Sequence, residues 1–86
     1  MMTYQVNLSS AAKRQLKKLS PTLQDTLKRL IDSLATDPRP SGCKKLKGRN
    51  NEYRIRTGNY RILYVIKDDA LIVTVIKLGH RRDAYD

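Results

Sequence analysis

The chain predicts a two-layer α+β domain in which an N-terminal strand and a helical hairpin pack on a mainly antiparallel sheet of about four strands. Three patterns carry that expectation. Apolar residues recur at helical spacing between residues 12 and 34, apolar and polar residues alternate in short runs after residue 44, and Pro/Gly-rich punctuation separates the two regions. At 86 residues the chain has room for a single core, so residues 1–86 are expected to form one domain.

Thr3 to Leu8 reads as a first strand, with Tyr4, Val6 and Leu8 on one side, and it runs into Ser9 and Ser10, both suitable helix N-caps. Ala12, Leu16 and Leu19 then form one apolar stripe, while Lys13, Arg14, Lys17 and Lys18 occupy the rest of a short basic helix. Ser20-Pro21 supplies the next N-cap and first-turn proline, with Gln24 near the capping-box position. Leu23, Leu27, Leu30, Ile31 and Leu34 mark the longer second helix. Asp37 to Gly42, DPRPSG, ends it and opens a loop.

Lys44 to Leu46 reads as a short edge strand and Arg49 to Glu52 as a polar loop. Tyr53 to Thr57 and Tyr60 to Ile66 read as two strands joined by Gly58-Asn59. A glycine-first two-residue turn pairs Thr57 with Tyr60, Arg56 with Arg61 and Ile55 with Ile62. Tyr53, Ile55, Thr57, Tyr60, Ile62, Tyr64 and Ile66 then share a core face, and Arg54, Arg56 and Arg61 share the other. After a turn at Asp68-Asp69, Leu71 to Leu78 is apolar and β-branched nearly throughout. It reads as a central strand covered on both faces for much of its length, with the first strand beside it.

Like charges placed directly opposite each other destabilise a sheet, so Arg56 and Arg61 make best sense with an anion between them. Guanidinium groups chelate phosphate through two nitrogens. The whole chain carries 18 Lys and Arg against 8 Asp and Glu, a formal charge of +10, which points to a polyanionic partner. Lys44, Lys45, Lys47 and Arg49 form a basic run that reads either as a solvated face or as a surface tracking phosphates. The end of the chain, GHRRDAY, holds the only histidine, His80, with Arg81, Arg82 and Tyr85. Tyr85 is the tyrosine best suited to stack on a base.

Other chemistry finds little support. A single cysteine, Cys43, permits no internal disulfide, and neither Cys/His nor carboxylate spacing fits a metal site, so no metal or cofactor is expected. There is no phosphate-binding glycine loop, secretory signal or membrane-length apolar run, which fits a cytoplasmic protein without membrane contact. RNA can nonetheless be cut without metal when its 2′-hydroxyl attacks the adjacent phosphate. That reaction needs charge stabilisation, which arginines supply, and proton transfer, for which His80 is the candidate carrier.

YRIRTGNYRILYVI followed by VIKLGHRRDAY resembles the RelE family of the RelE/ParE toxin superfamily, and the opening strand and helical hairpin agree along nearly the whole chain. The resemblance implies a toxin of a type II toxin–antitoxin system that cleaves translated mRNA in the ribosomal decoding site without a metal. It also implies partners: the ribosome and mRNA, a cognate antitoxin that wraps the toxin, and operator DNA reached only through the antitoxin complex. By motif, Arg54, Arg56, Arg61, Arg81 and Tyr85 correspond to the family's active site, with His80 beside Arg81. The family's best-known pattern has two lysines where Arg54 and Arg56 stand. Two alternatives accompany this expectation: a ParE-like gyrase poison, and a non-catalytic nucleic-acid-binding partner of an antitoxin.

Overall fold

A computed structural model describes residues 3–80 of the chain. Its elements run β1 (Gln5–Leu8), α1 (Ser10–Lys17), α2 (Pro21–Ser33), β2 (Lys44–Lys45), β3 (Glu52–Thr57), β4 (Tyr60–Lys67) and β5 (Ile72–His80). The sheet has five strands in the order β1-β5-β4-β3-β2, where about four were expected. β1 lies beside β5, as expected, and parallel to it, whereas all other neighbours are antiparallel.

The helices start where their caps dictate. Ser9 Oγ accepts from Ala12 N at 3.1 Å and Ser20 Oγ from Leu23 N at 3.3 Å, each satisfying a donor that the first helical turn leaves over. Gln24 does not close a capping box: its amide donates to the carbonyls of Leu19 (2.9 Å) and Lys17 (3.4 Å), and so seals the end of α1. Ala12 and Leu16 from α1 and Leu27, Ile31 and Leu34 around α2 join Tyr53, Ile55, Ile62, Tyr64, Ile66, Val73, Val75 and Leu78 in one buried cluster. The helical layer therefore covers a single sheet face, the face assigned to the core by strand parity.

The hairpin forms in the expected register, with Arg56 opposite Arg61 and Thr57 opposite Tyr60. Gly58 has φ +58°, the left-handed conformation that a glycine-first turn demands. Between β4 and β5 the register shifts: Tyr64 pairs with Val75 but Leu63 pairs with Lys77, so Ile76 is an extra residue. Beyond the end of β1 the edge of β5 is completed by side chains. Ser9 Oγ donates to Ile76 O at 2.8 Å, and Gln15 Oε1 accepts from Leu78 N at 2.8 Å. The last strand is covered less fully than expected: Val73, Val75 and Leu78 are buried, while Thr74, Ile76 and Lys77 are partly open.

Candidate nucleic-acid interface

Partners on adjacent strands share a face, so the register lays out the side of the sheet away from the helices as rows. One row is Lys44, Arg54, Leu63 and Lys77; the next is Arg56, Arg61 and Gly79. Arginines from β3 and β4 are thus joined by a lysine from each flanking strand. Gly79 puts no side chain beside Arg61. Leu63 is 2% exposed and Arg54 only 9%, so this part of the face is a covered, cationic surface and not a freely solvated one. Long basic stems lying over Leu63 would account for part of that cover.

Two grooves share Arg54. A groove of about 290 Å³ is lined by Gly42, Cys43, Lys44, Arg54 and Arg56; the other, about 470 Å³, runs along the β2 edge past Lys44, Lys45, Leu46, Lys47, Arg49 and Arg54. Among the described residues no carboxylate lines either groove. Glu52 pairs with Arg49 at 3.5 Å, which draws that arginine partly out of the cationic set. Lys45 pairs with Tyr53 and so takes the helix-side parity, but it still borders the edge groove. The Lys13, Arg14, Lys17 and Lys18 run is exposed on the other layer.

His80 does not share the arginine face. It pairs with Tyr60, and the two rings meet edge-on with centroids 5.6 Å apart, on the helix-side parity at the end of the sheet. Arg81, Arg82 and Tyr85 lie outside the described residues. Tyr53 and Tyr64 are buried, as parity predicts, with rings stacked at 5.9 Å. Among the described residues no group of three His, Cys, Asp or Glu side chains could hold a metal ion, and no helix is long and apolar enough to cross a membrane.

Two features of this surface escape a reading by strand parity. Lys77 reaches the arginine face only because of the extra residue at Ile76, although a lysine inside an apolar run is itself a signal. Arg39, in the loop after α2, makes the most extensive polar contacts found among the described residues. Its Nη1 and Nη2 hold Asp68 at 3.1 and 2.7 Å, its Nε donates to Tyr53 Oη at 3.1 Å, and its guanidinium carbon lies 5.1 Å from the Tyr53 ring centroid. The hydrogen bonds from Arg39 and from Tyr4 hold the Asp68 carboxyl down to a pKa of about 2, and the same pairing raises the Arg39 guanidinium further above its ordinary value. Burial pushes the Tyr64 phenol up.

The fold is thus a helical hairpin on one side of a five-stranded sheet, with Arg54, Arg56 and Arg61 sharing the parity of the other side. The family model for the ParE toxin of the type II parDE toxin–antitoxin system matches residues 6–85. RelE1 of Methanocaldococcus jannaschii is 34% identical over 98% of this chain and 97% of its own length. The mRNA interferase toxin RelE of Escherichia coli K12 is 30% identical over 93% of this chain and 85% of its own. The archaeal RelE–RelB complex from Pyrococcus horikoshii contains a chain that superimposes with a TM-score of 0.83 at 27% identity, over 96% of this chain and all of that one. The chain belongs to the RelE/ParE family of type II toxin–antitoxin toxins.

Proposed function

We propose that the chain is an mRNA-cleaving toxin whose arginine face holds one backbone phosphate of a transcript presented by the ribosome. The observation that carries the reading is the cross-strand placement of Arg56 against Arg61, with Arg54 and Lys77 in the adjoining row. Like charges placed opposite one another on a sheet face favour the binding of an anion between them. The name of the E. coli relative, an mRNA interferase, supplies the class of substrate.

In the reaction the 2′-oxygen forms a bond to phosphorus as the bond to the 5′-oxygen breaks, and a proton passes from the attacking hydroxyl to the departing oxygen. Arg56 and Arg61 stabilise the charge that grows on the non-bridging oxygens. Guanidinium groups keep their protons at any ordinary pH, so proton exchange falls to His80. In the structure its ring lies against Tyr60 on the helix-side parity, so this role requires the ring to leave that contact. Arg81 and Tyr85 complete the site by motif, and the chemistry draws on charge carried by the protein, with no metal step. Lys44, Lys47 and Arg82 extend the phosphate-tracking surface, with smaller contributions from Lys45 and Arg49.

Solved complexes pair relatives of this chain with a RelB antitoxin; a cognate antitoxin would silence this surface, and operator DNA would be met only through that complex. Primer extension on translated mRNA tests the assignment: wild type cuts within the reading frame and Arg61→Ala does not. Cleavage retained in both Arg56→Ala and Arg61→Ala would remove the site. Because the matching family model is that of ParE, gyrase supercoiling is assayed in parallel; inhibition with mRNA left intact would select the gyrase-poison reading.

A further inference from the structure

We infer that Arg39 is a positioning residue for the basic groove: it clamps the loop between α2 and β2 so that Gly42 and Cys43 form a fixed wall against Arg54 and Arg56. The inference rests on the reading of that groove as a phosphodiester-binding site.

The loop is pinned at consecutive residues. Tyr64 Oη, from the core, donates to the Pro38 carbonyl at 2.9 Å. Arg39 then reaches across to the β4–β5 turn and grips Asp68 through both terminal nitrogens, while its Nε bonds the Tyr53 hydroxyl. Asp68 is steadied in turn by Tyr4 Oη, which donates to its Oδ1 at 2.6 Å. Past this clasp the chain turns back, with Cys43 N bonded to Pro40 O at 3.0 Å and Gly42 at φ +93°, and it delivers Gly42 and Cys43 to the groove. Arg39 itself does not line either groove. Its two carboxylate bonds, its phenol bond and its ring contact all come from one planar fork, and a lysine could reproduce the charge but not the geometry.

The charge arithmetic makes the test decisive. Asp68→Asn removes a negative charge from a basic protein, so long-range attraction alone predicts tighter RNA binding; a clasp predicts the reverse. The full chain is titrated with a labelled single-stranded RNA whose 2′-oxygens are methylated so that it cannot be cut. Wild type is compared with Asp68→Asn, Arg39→Lys and Arg56→Ala below their melting temperatures. The rate of thiol labelling at Cys43, the only cysteine in the chain, reports the groove wall directly.

We expect Arg56→Ala to lose RNA affinity. Asp68→Asn and Arg39→Lys should weaken binding about fivefold or more while labelling of Cys43 accelerates, although neither variant lowers the net charge. Arg39→Lys is the milder change and keeps the test readable if Asp68→Asn folds poorly. Normal or tighter binding in both clasp variants, with unchanged Cys43 labelling and a weak Arg56→Ala, would overturn the positioning role alone. Undiminished binding by Arg56→Ala would overturn the groove reading, and this inference with it.

Discussion

Arginine at positions 54 and 56 restricts what the open sheet face can do, because a guanidinium group holds its proton and can only bind or neutralise. Losing one such group from a site where phosphate charge develops should lower kcat/KM roughly 10²-fold, about 3 kcal/mol of transition-state stabilisation. Arg61→Ala is expected to show this in single-turnover cleavage of ribosome-bound mRNA, with circular dichroism unchanged. His80 carries a different prediction: His80→Gln should slow single-turnover cleavage while RNA affinity is kept. An unchanged rate would move proton exchange to another group. The facing of Arg56 and Arg61 was legible in the sequence because a two-residue turn fixes its neighbours. Arg39 was not, since its partners Asp68 and Tyr53 stand far along the chain and no local spacing joins them.

Helices and strands announced themselves through caps and alternation, and the one element that misleads is β5. Read in strict alternation, Lys77 follows Val73 and Val75 toward the core and His80 turns outward with the arginines. The extra residue at Ile76 reverses both: Leu78 enters the core, Lys77 joins the arginine row and His80 lies against Tyr60. An apolar run gives no sign of where such a residue sits, so strand existence was readable and face was not. Gln15 is part of the same arrangement, because it alone is seen to satisfy the Leu78 amide where β1 has ended. Gln15→Leu should destabilise the fold by about 1–3 kcal/mol, the range for a buried donor left without its acceptor, measured by urea denaturation. Gly58 is tested in the same assay. A Cβ there meets nothing within 4 Å, so Gly58→Ala reports backbone strain alone and should cost about 1 kcal/mol.

For the whole molecule, fold class and basic character were both evident from the sequence; the position of β1 became definite only through its parallel pairing with β5. Stability should respond to acid through the clasp. Asp68 ionises at a lower pH in the folded chain than its ordinary value of 3.8, so its contribution is present above about pH 4 and is lost as the pH falls toward 2. Equilibrium unfolding of wild type and Asp68→Asn over that interval should converge, with wild type the more stable only at the upper end. Charge acts globally as well. Binding to a single-stranded oligonucleotide should weaken steeply with salt, and Arg56→Ala should reduce the logarithmic slope by about one contact.

The strand order also governs when the molecule can take shape. β5 lies between β1 and β4, so this interior strand follows both of its neighbours in the chain, and Gln5 must wait for Ile72 before the two can pair. Such distant pairing delays folding, because the closing of a long loop precedes any return in contacts. A chain that stops before residue 72 lacks Lys77 and every pairing that β5 makes with β1 and β4.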